Sequence, residues 1–216
     1  AISENGKILD SFKDSGDLKH SDLLIPTMDK LFKNLSMRLK DIDIIALSVG
    51  PGSFTGLRIG VAACKAINLA LGIPIVSVPT LDVIAYNFMS EKEDQLCPII
   101  DAKKQKVYSA IYEKPKFKRT TGYMLKNIED IVRMIRRPTA VFGDGAELYK
   151  EELKKNTFMR IANRPWQPQV EALSKIGYEK ALKKEYANPD KLVPMYLHSQ
   201  YCQIAPHLRA GSIAKI

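Results

Sequence analysis

Short apolar runs and stretches of helical period alternate along this chain. Residues 1–3 and 8–13 flank Glu4-Asn5-Gly6-Lys7, and Asn-Gly is a strong hairpin signal because both residues tolerate positive φ. From Ser21 the pattern turns helical, with Leu23, Leu24, Met28, Leu31, Phe32 and Leu35 at helical spacing. Ser21 is placed to cap this helix, Asp22 suits its positive end, and Pro26 is expected in or just after the first turn. The apolar stripe is wide, so one side serves the core and part of another is left for a partner. Residues 43–50 read as a buried strand, 55–71 as a helix stopped by Gly72-Ile73-Pro74, 75–78 as a strand and 81–89 as a helix.

A charged stretch, 90–95, marks the expected boundary between a first lobe, 1–90, and a smaller basic lobe, 91–216. Residues 96–102 and 107–112 read as a second hairpin, 114–121 as basic and irregular. Then come a helix over 127–137, a strand over 139–142 and helices over 146–155 and 170–185, the last ended near Asn188-Pro189. Both halves open on a hairpin and proceed to helix and strand, which predicts an α/β layered architecture.

Composition narrows the function classes. With 45% hydrophobic residues in 216, a substantial core is expected. No run of about 18 apolar residues stands out and residues 1–10 hold no apolar leader, so neither a membrane span nor a signal peptide is expected. Cys64, Cys97 and Cys202 are widely separated, which signals no zinc site or disulfide framework and suits a reducing cytoplasm. His20, His198 and His207 share no metal-ligand spacing. The formal charge of +9 is uneven: residues 1–90 hold nine basic and nine acidic groups, and 91–216 hold 24 basic and 15 acidic. A basic half suits polyanionic partners, and suits plain solubility equally.

The segment from Gly50 to Gly60, GPGSFTGLRIG, is the most informative. Gly50, Gly52, Ser53 and Gly56 lie between a strand and a helix, where backbone N–H groups can meet a phosphate at the positive helix end. The Gly-Lys-Ser/Thr ending of a P-loop is replaced by Gly56-Leu57-Arg58, and a tight turn with close helix–strand packing fits equally. Ser53 lies outside G-x-S-x-G and suits a helix cap better than a nucleophile. The following helix carries Gly60, Ala62, Ala63, Ala66 and Ala70, a smooth face for core packing or a partner helix, beside polar Thr55, Arg58, Lys65 and Asn68. Asp101 and Gly143-Asp144-Gly145 are either turn-stabilising or ligand-facing.

His20-Ser21-Asp22, the 50–60 stretch, Ile73-Pro74, 101–108, 143–146 and Pro194-Met195-Tyr196-Leu197 together resemble the TsaB (YeaZ) family over nearly the whole chain. The resemblance implies an actin-like, RNase-H-like ATPase (ASKHA) fold of two related lobes. It implies a non-catalytic accessory subunit, without metal-binding histidines. Such a subunit pairs with and activates the transferase TsaD through two helices from each protein, those at 21–35 and 55–71 here. Leu24, Met28, Leu31, Thr55, Arg58 and Lys65 are then the candidate contacts. It also implies action with TsaE on the anticodon-adjacent adenosine of tRNA, tRNA being met through the complex. ATP and magnesium serve the complex, with no cofactor held tightly by this chain, and the chain self-associates as a homodimer when alone. The family's first strand, central to its first sheet, has no counterpart before Ala1, which implies a truncated or incompletely represented chain. Two other readings stay open: an ATPase-like enzyme using the Gly50–Gly60 loop and Asp101, and an RNA-binding module using the basic half.

Overall fold

The computed structural model describes residues 1–13 and 20–197, with the side chains of 20–22 outside the description. Strands β1 (Ile2–Glu4) and β2 (Lys7–Asp10) form the expected hairpin on a two-residue turn, with Asn5 at φ 50° and Gly6 at φ 79°. Helix α1 runs His20–Asn34. It begins one residue before Ser21, Pro26 lies in its second turn, just after the first as expected, and the expected Ser21 cap falls outside the described side chains.

After a short 3-10 turn come β3 (Ile45–Ser48), α2 (Phe54–Leu71) and β4 (Ile75–Val78). β3 and β4 pair in parallel with α2 as the crossover, Ile45 opposite Ile75 and Ser48 opposite Val78. The hairpin and this parallel pair are hydrogen-bonded as two separate two-stranded sheets. Helix α3 (Thr80–Tyr86) ends three residues earlier than expected, with residues 87–90 in turns.

The second half is built on β5 (Gln95–Asp101), whose first five residues are buried. β6 (Lys106–Ser109) pairs with its C-terminal half and β7 (Tyr112–Glu113) with its N-terminal half. Residues 114–121, expected to be irregular, contain β8 (Lys118–Arg119), which folds back on β7. β9 (Met124–Asn127) pairs with β6 and was hidden by its helix-forming residues; helix α4 therefore shortens to Ile128–Met134. β10 (Thr139–Phe142) lies parallel to β5 on its other side, as its all-buried pattern demands. The helix expected over 146–155 is two pieces, α5 (Asp144–Leu148) and α6 (Lys150–Leu153), because Tyr149 leaves helical geometry at ψ 31°. β11 (Met159–Ile161) completes the sheet order β11-β10-β5-β6-β9.

Helix α7 (Val170–Leu182) returns to the first half. It packs on β2, β3, β4 and α3, with Gly177 so close to β3 that a Cβ there would lie 2.6 Å from that of Ala46. Ala172 and Ile176 share a core cluster with Val76, Val78 and Val83. The division expected at residue 90 puts α7 in the second lobe by sequence, whereas its packing joins it to the first-half strands. Glu91 and Glu93, in the charged stretch read as a boundary, both pair with Arg160.

Two buried joints connect the halves. Phe88 stacks on Phe142, centroids 3.6 Å apart. The Asp82 carboxylate of α3 accepts hydrogen bonds from Tyr112 Oη at 2.6 Å and Tyr123 Oη at 2.9 Å. Burial raises the Asp82 pKa, and the two hydroxyls only partly oppose it. No local pattern points to this cluster, in which the tyrosines lie 30 and 41 residues from Asp82.

Candidate partner-binding face and glycine loop

Helix α2 is well delimited by local chemistry. Ser53 Oγ accepts from Gly56 N at 3.3 Å, the expected cap, and Gly72 closes the other end in the left-handed region, its N–H reaching Asn68 O at 2.8 Å. One side of the helix, Val61 and Cys64, is buried against Val49, Ile75 and Leu192. Gly60 lies on the strand side: a Cβ there would stand 3.2 Å from Leu47 Cδ1. Much of the rest is uncovered. Thr55, Ala62, Ala66, Leu69 and Ala70 are exposed, Leu69 by 89%.

Only two residues of α2, Val61 and Cys64, are buried, although its 18 residues are apolar enough, at a mean hydropathy of 1.3, to match a membrane span in length and composition. This corrects the expectation that no such stretch exists, which overlooked how far alanine and the aliphatic residues raise the average around two cations. Its position as the crossover of a parallel β–α–β unit assigns it to the layered fold.

Between α2 and α1 lies an apolar cleft of about 320 Å³, lined by Phe12, Leu24, Met28, Leu31, Ile59 and Gly60 among others. Of the six candidate contacts, Leu24 and Met28 are half-buried in its wall and Leu31 is buried at its floor. Thr55 is exposed on α2. Arg58 and Lys65 turn elsewhere, toward the C-terminal segment: Arg58 Nε donates to Tyr196 Oη at 3.0 Å, and Lys65 Nζ approaches Leu192 O at 3.5 Å. The six therefore do not share one face.

The glycine loop is held by the same segment. Gly50 adopts φ 111° before a cis Gly50-Pro51 bond, and a Cβ on it would meet Leu57 Cδ1 at 2.9 Å and Met195 O at 3.1 Å. Met195 N donates to Val49 O at 2.7 Å. Gly52 is open, with nothing within 4 Å of a Cβ, and Gly56 touches only its cap, Ser53. The cleft beside Pro51 and Gly52 measures about 30 Å³, walled by Phe54, Leu57, Tyr108, Met195 and Tyr196. That is room on the scale of a water molecule rather than a nucleotide.

Asp101 and Gly143 belong to a separate corner. Asp101 accepts from Lys103 N at 2.9 Å and from Lys103 Nζ at 2.7 Å. Burial pushes the Asp101 carboxyl up, but the bonds to Lys103 outweigh it and the net direction is down. Lys103, Lys104 and Gln105 all take positive φ, so this carboxylate anchors a tight tip. Asp144 Oδ1 accepts from Asp101 N and Gly145 N, 2.9 and 2.8 Å away, and Gly143 lies directly against the Ile99 carbonyl. These groups are spent on joining β5 to α5. Among the described residues no three His, Cys, Asp or Glu side chains form a metal cluster, and buried Cys64 and Cys97 have thiol pKa values pushed up to about 11. His198, His207 and Cys202 lie outside the described residues.

Sequence reasoning missed Phe54, Leu192, Met195 and Tyr196 as residues that organise α2. The signal present was the Pro194–Leu197 stretch, which alone carries no chemistry.

Residues 15–202 match the family described as TsaD, tRNA N6-adenosine threonylcarbamoyltransferase. The chain belongs to this family. Within it, the chain is of the TsaB (YeaZ) kind. It is 29% identical over 190 residues to a tRNA threonylcarbamoyladenosine biosynthesis protein TsaB of Bacillus subtilis, covering 82% of this chain and 79% of that one. A TsaB protein of the same description from Buchnera aphidicola (subsp. Schizaphis graminum) is 29% identical over 153 residues, 68% and 73% of the two chains. The solved structure of YeaZ from Pseudomonas aeruginosa superposes with a TM-score of 0.70 at 21% identity, covering 83% of this chain and 86% of that one. A second Pseudomonas aeruginosa structure, described as similar to peptidase YEAZ, gives the same TM-score. These likenesses establish a shared α/β fold.

Proposed function

We propose that this chain is an accessory subunit of tRNA threonylcarbamoyladenosine biosynthesis that pairs with a TsaD-type transferase and activates it. The observation that carries the reading is α2: a long, small-residue, apolar helix of whose 18 residues only Val61 and Cys64 are buried, beside an apolar cleft shared with α1. An apolar surface of this extent is stabilised by a partner that removes it from water. Two helices from this chain against two from a related fold make a compact bundle, in which alanine and glycine allow close approach. The names of the relatives supply the pathway.

On this reading the first half is an actin-like lobe, the hairpin and the β3–β4 pair being outer parts of one sheet that a strand between them would join. The chemistry, with ATP and magnesium, resides in the complex with TsaD and TsaE, and tRNA is met there, in the cytoplasm. Without its partner the same face pairs two copies of this chain. No residue of this chain is assigned a catalytic role.

The test is a reconstituted modification reaction with a TsaD-type subunit, TsaE, ATP, threonylcarbamoyl adenylate and tRNA, with and without this chain. Modification is expected only with the chain present, and Met28→Asp is expected to remove the stimulation. An unpaired charge in a desolvated interface costs about 3–5 kcal/mol, roughly two to four orders of magnitude in Kd. Unchanged stimulation by Met28→Asp removes this face from the reading. Modification or ATP turnover by the chain alone moves the enzyme reading to the front.

A further inference from the structure

The C-terminal segment from Ala187 to Leu197 has no helix or strand, yet it follows α2 and the β3–β4 pair closely. Ala187 N donates to Ile75 O at 2.8 Å, and Leu192 is buried with Val61 and Cys64. Lys65 reaches the Leu192 carbonyl, and Met195 bonds to Val49 and crowds Gly50. At the far end three side chains interlock on the first turns of α2. The Arg58 guanidinium stacks 3.8 Å over the Phe54 ring and donates to Tyr196 Oη at 3.0 Å, while the Phe54 and Tyr196 rings lie 5.6 Å apart. The opposite side of the same turns, Gly56, Ile59 and Gly60, lines the α1–α2 cleft.

We infer that this segment is a strap, and that Tyr196 is a positioning residue that sets the N-terminal turns of α2 for partner pairing by acting through Arg58. The inference rests on the pairing reading above. It moves Arg58 from the contact surface to the inside of the device. The Ser53 cap and Leu57 against Gly50 hold the core side of the first turns, and the Tyr196–Arg58–Phe54 contacts hold their outer side, where Gly52 is open. With the strap engaged, Ile59 and Gly60 face α1 in one arrangement. With the Tyr196–Arg58 link cut, the first turns sample several, and pairing bears the entropy cost of choosing one.

The test measures pairing of the full chain with a TsaD-type subunit by titration for the wild type, Tyr196→Phe, Arg58→Ala, the double variant and Met28→Asp. Melting curves and hydrogen exchange at the amides of residues 56–59 accompany each titration. Tyr196→Phe removes one oxygen and keeps the ring, so the melting temperature is expected to hold. Each strap variant is expected to weaken pairing roughly threefold to tenfold, the range of one lost hydrogen bond. The double variant is expected to be no worse than the weaker single one, with exchange at 56–59 faster in all three. If Met28→Asp abolishes pairing while Tyr196→Phe pairs as the wild type does, the strap inference is overturned and the pairing reading stands. Additive single effects also overturn it, because Arg58 then touches the partner directly. If Met28→Asp pairs normally, the pairing face itself is refuted.

Discussion

Replacing Gly143 by alanine separates packing from ligand binding at the β10–α5 corner. Gly143 holds φ 120° and ψ 170°, a conformation available almost only to glycine, and occupying it with alanine costs about 1–3 kcal/mol. The added methyl is also driven into the Ile99 carbonyl oxygen, and lies 2.9 Å from both Ile99 C and Ile100 Cδ1. The first two are backbone atoms of central strand β5, paired to β10 on one side and to β6 and β7 on the other, so they yield only by moving the sheet. Overpacking of that kind adds about 1–3 kcal/mol. The total, about 2–6 kcal/mol, lowers the melting temperature by roughly 5–20 °C for a chain of this size. Gly52→Ala is the internal control: no atom lies within 4 Å of its Cβ and its φ is not positive, so a change within about 0.5 kcal/mol is expected. The assay is thermal and urea unfolding of both variants. A Gly143→Ala protein as stable as Gly52→Ala would refute the packing argument and restore Gly143 as a glycine kept for the approach of a ligand.

Asp82 gives a pH prediction. Its folded pKa lies above the unfolded value, so its favourable contribution is complete below the unfolded pKa and is lost as pH rises through the folded one. Tyr112 and Tyr123 face it as donors, with Arg119 and Lys180 as nearby cations, and the acid itself is the group that titrates in the acidic range. Asp82→Asn is expected to melt at or above the wild type at pH 7 and to lose that advantage at pH 4; the reverse order would show that ionised Asp82 is net stabilising. Tyr112→Phe, which removes the 2.6 Å donor, is expected to cost about 1.5–3 kcal/mol, read from urea midpoints, and a cost below 0.5 kcal/mol would deny that this bond joins the halves. Peptides carrying Cys64 and Cys97 are expected to resist alkylation at pH 8 until denaturant is added, since both thiols are buried with pKa values near 11. Native labelling of either would place it in a readily opened region. tRNA binding with a steep salt dependence is expected of the complex and not of the isolated chain; gel-shift titration of the chain alone across salt concentrations checks this, and strong binding there would favour the RNA-binding reading.

Much of the local structure was legible because its causes lie within a few residues. Asn5-Gly6 specifies a two-residue hairpin turn, Ser53 and Gly72 delimit α2, and the apolar runs at 75–78 and 139–142 give β4 and β10 with their observed bounds. The wide stripe of α1 and the small residues of α2 already indicated a face beyond the needs of the core. The segments that failed depend on distant partners. β8 and β9 hold lysine, arginine and leucine in stretches with no strand signature, and become strands because β7 and β6 offer edges to pair with. The same holds for functional side chains. Arg58 and Lys65 are polar positions on an exposed helix until a segment 127–138 residues later claims them. Asp101 and Gly143 carry ambiguous chemistry until the fold sets one on Lys103 and the other on the Ile99 carbonyl. By itself the sequence determined the elements whose hydrogen bonds and caps close within a single turn or strand, and the family to which they belong. Tertiary structure alone decided which surfaces those elements bury, because burial depends on neighbours that local pattern does not encode.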